Sequence, residues 1–240
     1  FLWVLLVFGA IAAATHALVP GAFDRLAGLA KGAERKPARF FWGLVLVSTL
    51  AYLPVAMTTP FGHWTMVGPF TVQTARISHY LVYFLAGIAV GAAGVGVGLT
   101  DPAGKLARRW WAWQLAPILP IIGGVAPLIV AFSPNPPPRP FLDVFGGVMF
   151  TLACATLSFA ALATFLRFAR KTGPVGASLQ ANAYGMYLLH YVFTSWLAWM
   201  LLPQQWGGLA KAAAVFVGAA ALSWLSTMVL RRMPLLGRIL

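Results

Sequence analysis

The chain has 240 residues, of which 60% are hydrophobic and only 9% charged. A soluble domain carries about 25% charged residues, so this composition, with a mean hydropathy of +0.82, excludes an ordinary soluble domain and indicates a polytopic membrane protein. The net charge of +13 would suit nucleic acid, but the cations sit in short segments between apolar runs. That is the membrane pattern, and no nucleic-acid partner is expected.

Seven apolar runs read as transmembrane helices, near 1–19, 40–57, 77–99, 111–132, 143–166, 180–202 and 208–230. A helix needs about 20 residues to cross a bilayer. The first run starts at Phe1 with FLWVLL and shows neither the basic start nor the small-residue cleavage site of a signal peptide. Segment 20–39 then holds Arg25, Lys31, Arg35, Lys36 and Arg39. Segment 100–110 holds Lys105, Arg108 and Arg109, segment 167–179 holds Arg167, Arg170 and Lys171, and the tail holds Arg231, Arg232 and Arg238. The intervening connections carry only Arg76, Arg139 and Lys211. Basic loops face the cytoplasm, which predicts Phe1 outside and Leu240 inside. Polytopic proteins of this kind commonly start in the cytoplasm, so parity predicts an odd number of spans upstream of Phe1. The whole of 1–240 is expected to form one transmembrane domain, N-terminally incomplete.

The third run enters as TARISHYLVYFLAGIAVG. Arg76, His79, Tyr80, Tyr83 and Gly87 fall at i, i+3, i+4, i+7 and i+11, so they share one helical face. Such a stripe is unlike a lipid-facing surface and is expected to line the bundle interior. The competing reading makes Arg76 and Tyr80 interfacial anchors. Gly87–Gly91 and Gly94–Gly98 have GxxxG spacing and read as close helix-packing sites. Trp110, Trp111 and Trp113 read as an inner aromatic belt. Pro134, Pro136, Pro137, Pro138 and Pro140 predict a rigid, extended outer connector. The only cysteine, Cys154, excludes an intrachain disulfide and reads as a small core residue.

The sixth run contains SLQANAYGMYLLHY at 178–191. Tyr184, Tyr187, His190, Tyr191 and Thr194 fall within about 120° of the helix circumference, with His190 about 15 Å along it. An ionisable group at that depth reads as a functional site. Its alternative is an imidazole hydrogen-bonded between helices. HExxH, CxxC, P-loop and GxSxG motifs are absent, and His16, His63, His79 and His190 have no paired spacing, so no metal site or bound cofactor is expected. All four acids, Asp24, Glu34, Asp101 and Asp143, lie in loops or at span edges, which disfavours ion-coupled transport.

Three elements together, YGMYLLHY at 184–191, SHYLVYFLAGIAVG in the third run and the opening FLWVLL, resemble membrane acyltransferase family 3. That family includes the glucan succinyltransferases and the O-antigen and peptidoglycan O-acetyltransferases. The resemblance extends over essentially the whole chain. It implies a ten-span, all-α bundle in a bacterial inner membrane, with the chain supplying the last seven spans. It implies transfer of an acetyl or succinyl group from cytoplasmic acyl-CoA to a hydroxyl of an envelope carbohydrate or glycolipid. The family's essential histidine, preceded by an arginine, lies in the first span and has no counterpart here, so the resemblance implies a catalytic base upstream of Phe1 and a chain that is inactive by itself. On this reading Arg76 and His79 serve the acceptor side. Tyr83, Tyr184, Tyr187 and His190 line the central path, and Arg108 and Arg109 hold the CoA phosphates. The alternative function is a transporter or flippase for a lipid-linked sugar, which needs the same aromatic cavity.

Overall fold

A computed structural model describes residues 2–19, 21–59, 63–68, 70–130, 133, 137–169 and 173–233. Pro134 and Pro136 of the proline-rich connector, and the cations Arg170, Lys171 and Arg238, lie outside the described residues. The described chain is all-α apart from one short hairpin. It divides into two compact units, Phe1–Arg170 and Lys171–Leu240.

In the first unit, α1 (Leu2–Leu18) leads to the short α2 (Asp24–Ala30) and then to α3 (Pro37–Thr58). Pro37 occupies the first turn of α3, where its missing N–H is harmless. Pro54 lies inside the same helix and cannot donate to the Leu50 carbonyl. The hairpin follows, with β1 (Trp64–Val67) antiparallel to β2 (Phe70–Gln73) and Val67 opposite Phe70. A 3-10 turn, Thr74–Arg76, then feeds α4 (Ile77–Ala93). The short α5 (Lys105–Arg108) and α6 (Trp110–Leu115) precede α7 (Ile118–Val130), and α8 (Arg139–Phe168) closes the unit.

Four helical segments are long and apolar enough to cross a membrane: Pro37–Thr58, Thr74–Ala93, Arg139–Phe168 and Gly208–Leu230. The other three expected crossings differ in form. The first is a helix of only 17 residues. The expected span 111–132 is interrupted between α6 and α7 at Ala116 and Pro117, where Pro117 has no N–H to donate to the Trp113 carbonyl. The sixth forms α9 (Pro174–Leu201), which is long enough but carries Ser178, Gln180 and Asn182 in its first half.

The core of the first unit is where α3, α6 and α8 meet. Phe41, Trp113 and Phe159 form an aromatic triangle with ring centroids 4.9 to 5.3 Å apart. Each such pair contributes about 0.5–1.5 kcal/mol beyond the area it buries. Trp113 is thus a core residue and not part of an interfacial belt, whereas Trp111 is exposed. Gln114 is held by α8, its amide donating to the Ala160 carbonyl and to Thr164 Oγ1, both at 2.9 Å.

The GxxxG expectation is overturned. Gly87 and Gly91 have no neighbour within 4 Å of a would-be Cβ. Gly94 and Gly98 lie past the end of α4, both with positive φ. Gly98 instead packs on the chain after α2, where a Cβ would fall 2.3 Å from the Ala30 carbonyl oxygen. Nearby, the Lys105 amide donates to the Glu34 carbonyl at 2.9 Å. These contacts tie the two basic segments of the first unit together.

The second unit is a helical hairpin of α9 and α10 (Gly208–Leu230). Its helices approach closely where Gly185 meets Thr227 and where Gly218 meets Leu197, positions at which a Cβ would fall within 2.8 Å of the facing side chain. Small residues at such crossings let backbones pack without a large side chain between them.

Candidate functional site

In the first unit, α4 carries His79 and Tyr83 one above the other, with Arg76 at its N-cap. His79 is only 4% exposed. From α3, Ser48 Oγ lies 3.3 Å from His79 Nδ1, and the Tyr52 ring stands edge-on with centroids 6.0 Å apart. From α8, the Phe150 ring packs at 5.2 Å on His79 and at 4.9 Å on Tyr52. The Tyr83 ring covers the imidazole at 4.6 Å. The Arg76 guanidinium carbon lies 5.1 Å from the Phe150 centroid, a cation–π contact. Arg76 and His79 are therefore brought against the same aromatic ring, as the shared-face argument expects.

Two polar atoms here are buried without a hydrogen bond among the described residues, Arg76 Nε and the Tyr83 hydroxyl. Ser158 approaches Tyr83 from α8. An unmade bond on a buried donor costs about 1–3 kcal/mol, and at Tyr83 the approach of Ser158 relieves part of it. Other polar side chains around the site are satisfied. Thr49 and Thr151 share a 2.7 Å hydroxyl contact, and Ser78 Oγ donates to the Ala51 carbonyl at 2.7 Å. Ser48 and Tyr52 gave no sequence signal of their own; only their spacing of four along α3 hints that they face one neighbour.

The remaining expected residues are placed elsewhere. Arg108 and Arg109 are exposed at the end of α5. In the second unit, His190 Nδ1 donates to the Tyr187 carbonyl at 2.5 Å. With Nδ1 as donor, Nε2 of the uncharged ring is the acceptor. Tyr187, His190 and Thr194 line a cleft of about 720 Å³ between α9 and α10. Tyr184 and Tyr191 are 51% and 71% exposed and lie off it. Across the hairpin, Asn182 is buried, donates to the Ser178 carbonyl at 2.6 Å and accepts from Arg231 at 3.4 Å. Trp224 Nε1 donates to Ser178 Oγ at 3.2 Å. This polar clasp is structural, holding the start of α9 to the end of α10.

No protein-family model, curated protein or solved structure matches the chain.

Proposed function

We propose that this chain is a membrane O-acyltransferase that moves an acetyl- or succinyl-type group from acyl-CoA to a hydroxyl of an envelope carbohydrate or glycolipid. The reading rests on the resemblance of YGMYLLHY and SHYLVYFLAGIAVG to membrane acyltransferase family 3. The observation that carries it is the pairing of buried His79, held by Ser48, with the unbonded Nε of Arg76 beside the same Phe150 ring. His79 donates from Nδ1 to Ser48 and holds the acceptor hydroxyl at Nε2, while the base that takes its proton is the family's first-span histidine. The hydroxyl oxygen attacks the thioester carbonyl. Arg76 stabilises the tetrahedral oxyanion, which collapses to the new ester and expels the CoA thiolate, and the proton goes to that thiolate. Positioned base catalysis is worth about 10²–10⁴-fold, and one oxyanion donor about 10²–10³-fold.

The proposed topology is seven crossings within the family's ten-span architecture, in a bacterial inner membrane with Leu240 on the cytoplasmic side. Arg108 and Arg109 then face the CoA phosphates from that side.

The test is transfer of radiolabelled acetyl or succinyl from its CoA thioester to envelope glycan by membranes containing the full-length protein that carries this chain. Loss of transfer in His79→Ala and Arg76→Gln, at unchanged protein level, supports the enzyme. Full transfer by both variants refutes the site. Movement of a lipid-linked sugar across the bilayer without covalent change would instead favour the transporter reading.

A further inference from the structure

The cleft between α9 and α10 is unlike the site around His79. Its walls are Met186, Ala198, Leu201, Val215, Phe216 and Ala219, among other apolar side chains. Polar groups occur at its two ends and, as Thr194, part-way along the α9 wall. Lys211 stands at one, its ammonium donating to the Leu202 carbonyl at 3.0 Å. His190 and Ser223 stand at the other. Twelve residues of α10 separate Lys211 from Ser223, about 18 Å at 1.5 Å per residue.

We propose that this cleft binds one anionic lipid, its phosphate on Lys211 and a hydrocarbon tail lying along the wall toward His190. Three features argue for that occupant. The wall helix α10 is long and apolar enough to cross a membrane, so hydrocarbon is the medium available to it. The single cation of the lining sits at the end of the cleft, where a headgroup and not a tail would lie. A lysine retains two further donors when one goes to a carbonyl, so the Leu202 contact orients the ammonium without using it up. The alanines of the lining, at 198, 212, 219 and 220, keep the walls shallow enough for a chain to lie between the helices. The inference rests on the membrane reading alone and does not require acyl transfer.

The experiment uses the full chain in phosphatidylcholine nanodiscs containing a small fraction of phosphatidic acid with a diazirine on its tail. After photolysis, labelled peptides are mapped by mass spectrometry. Labelling is expected in 186–202 and 211–223. Lys211→Gln is expected to lower it about fivefold, as loss of one lysine–headgroup contact would. Ala212→Trp, at an exposed position of the lining, is expected to abolish it. Equal labelling by a diazirine phosphatidylcholine, no response to either substitution, or label falling only outside the two segments would overturn the proposal. The last outcome would assign the cleft to a packed protein helix. No acyl donor is present in the experiment, so its failure leaves the acyl-transfer proposal separately testable.

Discussion

His79 and His190 stand in closely similar local sequence. Each precedes a tyrosine and lies on a tyrosine-bearing helix, as SHYLVY on α4 and YLLHYV on α9. Their surroundings nevertheless diverge. His79 is enclosed by Ser48 and Tyr52 from α3 and by Phe150 from α8. Among the described residues His190 bonds to its own helix, at the Tyr187 carbonyl, and it faces a cleft whose other wall is alanine rich. A helix presents a stripe, and the neighbouring helix decides whether that stripe becomes a site. Ser48 and Tyr52 supply hydroxyl and ring at the right depth on α3, while α10 supplies small side chains at the corresponding place.

The sharpest break of this comparison is catalytic. His79→Ala is expected to lower acyl transfer by about 10²-fold or more, and His190→Ala by less than about 10-fold, measured as initial rates at matched protein level. Equal losses would mean that enclosure does not distinguish the two histidines. Next comes packing. Gly185→Leu must displace Thr227, and overpacking of this kind costs about 1–3 kcal/mol; denaturant titration in detergent micelles reads it. Arg231→Gln removes the donor to the Ala181 carbonyl at 2.6 Å and is expected to cost about 1 kcal/mol in the same titration. The smallest effect belongs to Gly87→Leu and Gly91→Leu. Among the described residues neither glycine has an atom within 4 Å of a would-be Cβ, so each should stay within about 0.5 kcal/mol of the parent. A large loss there would restore the GxxxG reading.

The apolar runs were legible because bilayer-spanning helices need length and apolarity, and both are written locally. The Arg76–His79 stripe was legible because helical periodicity fixes which residues share a face. What it would meet was not, since Ser48, Tyr52 and Phe150 lie on other helices and nothing in their own segments marks them. The β1–β2 hairpin was also missed. Its strands are four residues each, too short for alternation to stand out beside a 20-residue apolar run. The glycine spacings misled for a related reason. GxxxG states that two backbones could approach, and only the partner determines whether they do. At Gly185 the approach is real, although that glycine sits in no such motif.

Pro54 and Ser78 have a mechanical corollary. A proline inside a helix makes a joint, because it removes one rung of the backbone ladder. In α3 that joint is pinned from outside, by the Ser78 hydroxyl on the Ala51 carbonyl. The pin is one residue before His79, and the length of α3 beyond the joint leads into the β1–β2 hairpin. The proline leaves the Leu50 carbonyl without its rung, and the Ser78 bond one residue on holds that loosened turn of α3 against α4, the helix that carries His79.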